Sequence, residues 1–98
     1  MITQLLLIYM TLKKKQQTLP KWFRGMIYKE GETVTNPFSG ESYELTGVEL
    51  SLYDFIIGCQ MMFDTQPSIM TNKRITEFQK ALTWFRVNNP EAYYVLLD

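Results

Sequence analysis

Ninety-eight residues, 46% of them hydrophobic and 20% charged, with a formal net charge of zero, describe one small folded unit, neither a disordered tail nor a polycation. Histidine is absent and cysteine occurs once, which excludes a Cys/His zinc site within one chain, an internal disulfide and a histidine general base. The charge is nevertheless segregated along the chain. In the first thirty residues Lys13, Lys14, Lys15, Lys21, Arg24 and Lys29 are opposed only by Glu30, whereas Glu32, Glu41, Glu44, Glu49, Asp54 and Asp64 have no base among them between residues 31 and 64. A basic first third can dock on the acidic middle of the same chain or of a neighbouring copy, and overall neutrality argues against a phosphate-binding arm.

In chain order, residues 2–17 read as a helix with Ile2, Leu5, Leu6, Tyr9 and Leu12 on one face and Lys13 to Lys15 near its C-terminus, where the helix dipole favours cations. Thr18-Leu19-Pro20 stops it. The lysines follow the apolar run and no Ala-x-Ala-like site appears, the reverse of a secretory signal. A run of about ten residues is also too short to cross a bilayer. The expectation is a cytoplasmic protein with no membrane partner and no cofactor.

Lys21 to Tyr28 is short and aromatic, with the character of a strand or of one helical turn. Thr33–Thr35 and Ser42–Leu45 are alternating runs around Asn36-Pro37-Phe38-Ser39-Gly40. Asn and Pro suit the first two positions of a type I turn, and Gly40 the left-handed residue after it. Alternation puts Val34, Tyr43 and Leu45 on one inward face. Thr46-Gly-Val-Glu49 is a capping-box pattern that opens a central helix, ended by Asp64-Thr-Gln-Pro67.

That helix carries two apolar stripes. Val48, Leu52, Phe55, Ile56, Cys59, Met62 and Phe63 form one, and Leu50, Tyr53, Ile57 and Met61 the other. A surface helix of a lone domain needs one such face, so the second implies wrapping by the chain or contact with another molecule. Gly58 within it costs on the order of 1 kcal/mol against Ala, which a close backbone approach would explain. Ser68 or Thr71 caps the next helix, which runs to about Val87 with Ile75, Phe78, Leu82 and Phe85 inward. Asn89-Pro90-Glu91 then starts a short last helix whose Tyr93, Tyr94, Leu96 and Leu97 fold back on the core. The expected architecture is one α+β domain over residues 1–98, mainly helical: N-terminal helix, β-hairpin, two longer helices and a short C-terminal helix, with residues 1–20 as a docking extension.

Chemistry is sparse. Glu32, Glu41 and Glu44 cluster on the hairpin, but exposed acids there serve to discourage edge-to-edge pairing. Cys59 sits on the main apolar stripe as a buried small hydrophobe. The glycines are too scattered for a phosphate loop. No enzyme, no catalytic residue and no metal site is expected. A nucleic-acid surface would use Lys13, Lys14, Lys15, Lys21, Trp22 and Arg24, backbone contacts combined with stacking. The favoured alternative is protein–protein contact, first of all a homo-oligomer and most simply a dimer. Its interface residues are Leu5, Leu6, Tyr9, Leu50, Tyr53, Ile57 and Met61.

Val34-Thr-Asn-Pro-Phe-Ser-Gly-Glu41 leading into Leu45-Thr-Gly-Val-Glu-Leu-Ser-Leu-Tyr-Asp54, together with the ending Trp84–Asp98, resembles a family of small uncharacterised bacteriophage proteins found among cyanophages and other marine phages. The first twenty residues lie outside it. The resemblance implies a viral source, an infected host cell as the setting, phage or host proteins as partners, and no catalytic residues.

Overall fold

The computed structural model describes residues 17–98. The predicted N-terminal helix therefore lies outside the described residues. From Gln17 the chain runs to a hairpin of β1 (Glu32–Thr35) and β2 (Ser42–Leu45), then α1 (Gly47–Thr65), a 3-10 turn (Pro67–Ile69), α2 (Asn72–Asn88) and α3 (Pro90–Leu96). The described chain is thus a small α+β fold of three helices and one antiparallel two-stranded sheet. Residues 21–28 form neither strand nor helix. One turn closes at its start, with the Phe23 amide 3.1 Å from the Pro20 carbonyl, and the rest is irregular.

Side chains hold this irregular segment. The Tyr28 amide donates to Ser51 Oγ at 2.9 Å, and Ser51 itself donates to the Gly47 carbonyl at 2.8 Å. A Cβ at Gly47 would lie 2.5 Å from the Tyr28 carbonyl oxygen, so only glycine lets the segment pass so close to the start of α1. Further on, Trp22 and Phe23 pack on Phe55 of α1, with ring centroids 6.0 and 5.7 Å away.

The hairpin has the alternation that the sequence predicts. Val34 pairs with Tyr43 and Glu32 with Leu45. Leu45 is buried, and Val34 and Tyr43 pack against the core from its edge. A two-stranded ribbon is marginal alone; here β2 leans on α1 and α3.

The capping box forms as predicted. The Thr46 amide donates to Glu49 Oε1 at 2.9 Å and the Glu49 amide to Thr46 Oγ1 at 3.2 Å, satisfying two donors that a helix start leaves open. Nineteen residues make α1 about 28 Å long. Its main stripe buries Leu52 and Ile56 in one cluster with Ala81 and Phe85 of α2 and Ala92 and Leu96 of α3, and Cys59 is buried as well. Thr71, not Ser68, caps α2 by accepting from the Arg74 amide, because Pro67–Ile69 is taken up by the 3-10 turn. Asn89 caps α3 by accepting from the Ala92 amide. Tyr94 departs from expectation: it is 72% exposed, while Ala92 and Leu96 carry the inward face of α3.

Gly58 also departs from expectation. No backbone approaches it, and a Cβ there would meet nothing within 4 Å. The residue sits on the exposed side of α1, so its helix cost is not offset by packing. Gly58→Ala is accordingly expected to stabilise the fold by about 0.5–1 kcal/mol, read as a higher urea midpoint at unchanged m value.

Candidate interaction surface

Two tight constructions dominate the described surface and interior. The first is the hairpin turn. Gly40 adopts φ +78°, the left-handed conformation that favours glycine. The Gly40 amide donates to the Asn36 carbonyl and the Asn36 amide to the Glu41 carbonyl, both at 2.8 Å. Asn36 Oδ1 accepts from the Phe38 amide at 2.9 Å, an Asx turn. Asn36 Nδ2 donates to the Val95 carbonyl at 3.0 Å and so moors the turn to α3.

This rigid loop presents Phe38, which is 97% exposed. Leaving that ring in water forgoes roughly 1.5–3 kcal/mol that burial of a Phe side chain supplies. Phe38 is not isolated. It borders a groove of about 450 Å³ with Tyr53, Ile57, Met61 and Leu97, and Met61 is 61% exposed. The charged residues on this groove are Asp64 and Asp98.

A second groove, of about 490 Å³, lies between the segment after Gln17 and α2. Pro20, Trp22, Trp84 and Val87 form its apolar part, with Lys80 at its rim. Each indole is braced by a ring behind it: Trp84 by Phe85 at 6.0 Å and 72°, Trp22 by Phe23 at 6.2 Å and 69°. A third hollow gathers Arg24, Lys73 and Arg74 with Glu77 beside Phe55.

The other construction is inside. Glu49 is fully buried, and its Oε2 accepts from Gln17 Nε2 and from Asn89 Nδ2, both at 2.8 Å. Gln17 Oε1 in turn accepts from Thr46 Oγ1 at 2.9 Å. The Tyr43 hydroxyl reaches Asn89 Oδ1 and Glu91 Oε2 at 3.3 Å. Burial, then the nearby Glu91 charge, push the Tyr43 hydroxyl above its usual value. Among the described residues every donor on Glu49 is neutral, which gives the group the character of a structural crosslink.

The residues predicted for an interface are divided by the structure. Leu50 belongs to the core, Tyr53 and Ile57 are half-buried, and Met61 alone of the four is exposed. Leu5, Leu6 and Tyr9 lie outside the described residues, as do Lys13, Lys14 and Lys15. Of the residues named for nucleic acid, Lys21 and Arg24 are exposed, but Trp22 is packed among Phe23 and Phe55. Trp22 borders the second groove and Arg24 the third hollow. Sequence reasoning missed Phe38 as a surface anchor, taking it only as a turn residue. The pairing of Trp22 with Trp84 across a groove left no sequence signal at all.

Among the described residues no group of three His, Cys, Asp or Glu side chains is placed to hold a metal ion, and no helix is long and apolar enough to cross a membrane. Cys59 is buried, and that burial raises its thiol above the usual 9.0; Arg74 opposes the shift and Glu77 adds to it. Comparison with protein-family models, with curated proteins and with solved structures finds no match for this chain.

Two outcomes follow. Glu49→Ala strands the Asn89 and Gln17 amides and the Thr46 backbone N–H, and is expected to cost about 3–4 kcal/mol in urea unfolding. For Cys59 the folded thiol holds its proton more tightly than the unfolded one. Stability is therefore full below the ordinary thiol value of 9.0 and falls as pH rises past it, until the folded thiol also ionises. Unfolding midpoints measured from pH 8 to 10 should fall less steeply in Cys59→Ala than in the parent.

Proposed function

We propose that this chain is a non-enzymatic accessory protein that works through protein–protein contact, and first of all by associating with copies of itself. The observation that carries the reading is Phe38, an almost wholly exposed aromatic on a turn held by backbone and asparagine hydrogen bonds and moored to α3. An aromatic anchor on a preorganised loop is the arrangement that binds with little loss of conformational freedom. Met61, Tyr53 and Ile57 extend the apolar surface beside it, so the second stripe of α1 contributes through its C-terminal half and not through Leu50. Zero net charge removes the self-repulsion that would oppose such association. A phage setting, in an infected host cell, is supported by the resemblance of residues 34–41, 45–54 and 84–98 to small bacteriophage proteins.

Light scattering on the full chain over a range of concentrations is expected to return a weight-average mass that climbs above 11.6 kDa. Phe38→Asp should bring it back to the mass of one chain with an unchanged circular dichroism spectrum. A mass that stays at one chain at millimolar concentration would refute self-association.

A further inference from the structure

We infer that the association is head-to-tail, with Phe38 of one copy seated between Trp22 and Trp84 of the next. The inference rests on the self-association just proposed and names the surface that receives the anchor. Phe38 projects from the hairpin turn, whereas the tryptophan groove is lined by residues 20–22 and α2 and by no residue of the hairpin. Anchor and receptor are therefore separate surfaces of one molecule. With the two apart, one copy gives its anchor to one neighbour and receives the anchor of another, the heterologous pattern that extends into rings or filaments; a two-fold dimer would need both contacts to form at once between the same two chains.

Size and chemistry agree. A groove of about 490 Å³ admits a phenyl ring, and its walls offer two indoles and Val87, itself 65% exposed. The indoles are already held by Phe23, Phe55 and Phe85, so they meet an incoming ring without first being ordered. Charge favours the same pairing. Exposed Glu41 and Glu44 flank the turn on the hairpin, exposed Lys80 lines the groove, and exposed Lys21 stands in the chain between its Pro20 and Trp22. The two-fold alternative, pairing the Phe38–Met61 groove with itself, would bring Asp64 and Asp98 of both copies to one interface, a like-charge arrangement that opposes it.

The test mixes two variants of the full chain. Phe38→Asp destroys the anchor and keeps the groove. The double substitution Lys80→Glu with Val87→Glu, at two exposed positions, spoils the groove and keeps the anchor. Each alone is expected to weaken self-association by about 30-fold or more, the effect of losing a hot-spot side chain. An equimolar mixture should regain association through the one intact pairing and stop at the mass of two chains. The unaltered protein should continue past two chains or close as a ring. If the groove variant associates as the parent does, the mixture stays at one chain, or the parent stops at two chains, the head-to-tail arrangement is overturned while self-association stands. If the parent itself remains at one chain, Phe38 serves a different protein, and both readings fall together.

Discussion

The fold hangs on a carboxylate whose hydrogen-bond donors, among the described residues, are all uncharged amides. Glu49 receives the Thr46 amide through one oxygen and the Gln17 and Asn89 side-chain amides through the other. These donors come from the end of the hairpin, from the start of the described chain and from the junction of α2 and α3. One side chain therefore joins three stretches distant in sequence: the start of the described chain, the junction of the hairpin with α1, and the junction of α2 with α3. A buried anion is tolerable only when its lone pairs are occupied, and the first turn of a helix adds a favourable dipole. In return, the positions of the hairpin and of α3 relative to α1 are specified by directional bonds, where apolar packing alone would permit sliding.

Asn89 shows how one residue serves both local and distant order. Its Oδ1 caps α3 through the Ala92 amide, while its Nδ2 reaches Glu49 forty positions away in sequence. Asn36 repeats the device at the other end of α3: Oδ1 shapes the hairpin turn and Nδ2 holds the Val95 carbonyl. Seven residues are too few for a helix to persist by its own hydrogen bonds. The two asparagines, together with burial of Ala92 and Leu96, give α3 its place, and α3 in turn supports β2.

What could be read from sequence follows the range of the interaction. The capping box at Thr46, the turn at Asn36–Gly40 and the Asn89-Pro90 helix start are set within three or four residues, and each is found as expected. Alternation placed Val34, Tyr43 and Leu45 on one face for the same reason. The burial of Glu49 was not legible, because a glutamate at the third position of a helix is usually a solvated half of a capping box. Its partners come from residues 17 and 89. Leu50 looked like part of a second exposed stripe because periodicity gives the face of a helix but not what covers it. Gly58 invited a packing explanation, yet open space surrounds it. The groove between Trp22 and Trp84 joins an irregular segment to a helix sixty-two positions later, a juxtaposition without periodicity.

Both asparagines that tether α3 are followed directly by proline, Pro37 and Pro90. Spontaneous deamidation proceeds when the next residue's backbone nitrogen attacks the asparagine side-chain carbonyl, and a proline nitrogen carries no hydrogen to give up. The two amides on which the terminal helix depends are thereby protected from the slow hydrolytic ageing that would turn each into an acid. For Asn89 that change would set a second negative charge against Glu49. The order of these dipeptides thus gives the fold chemical durability in addition to its turn geometry.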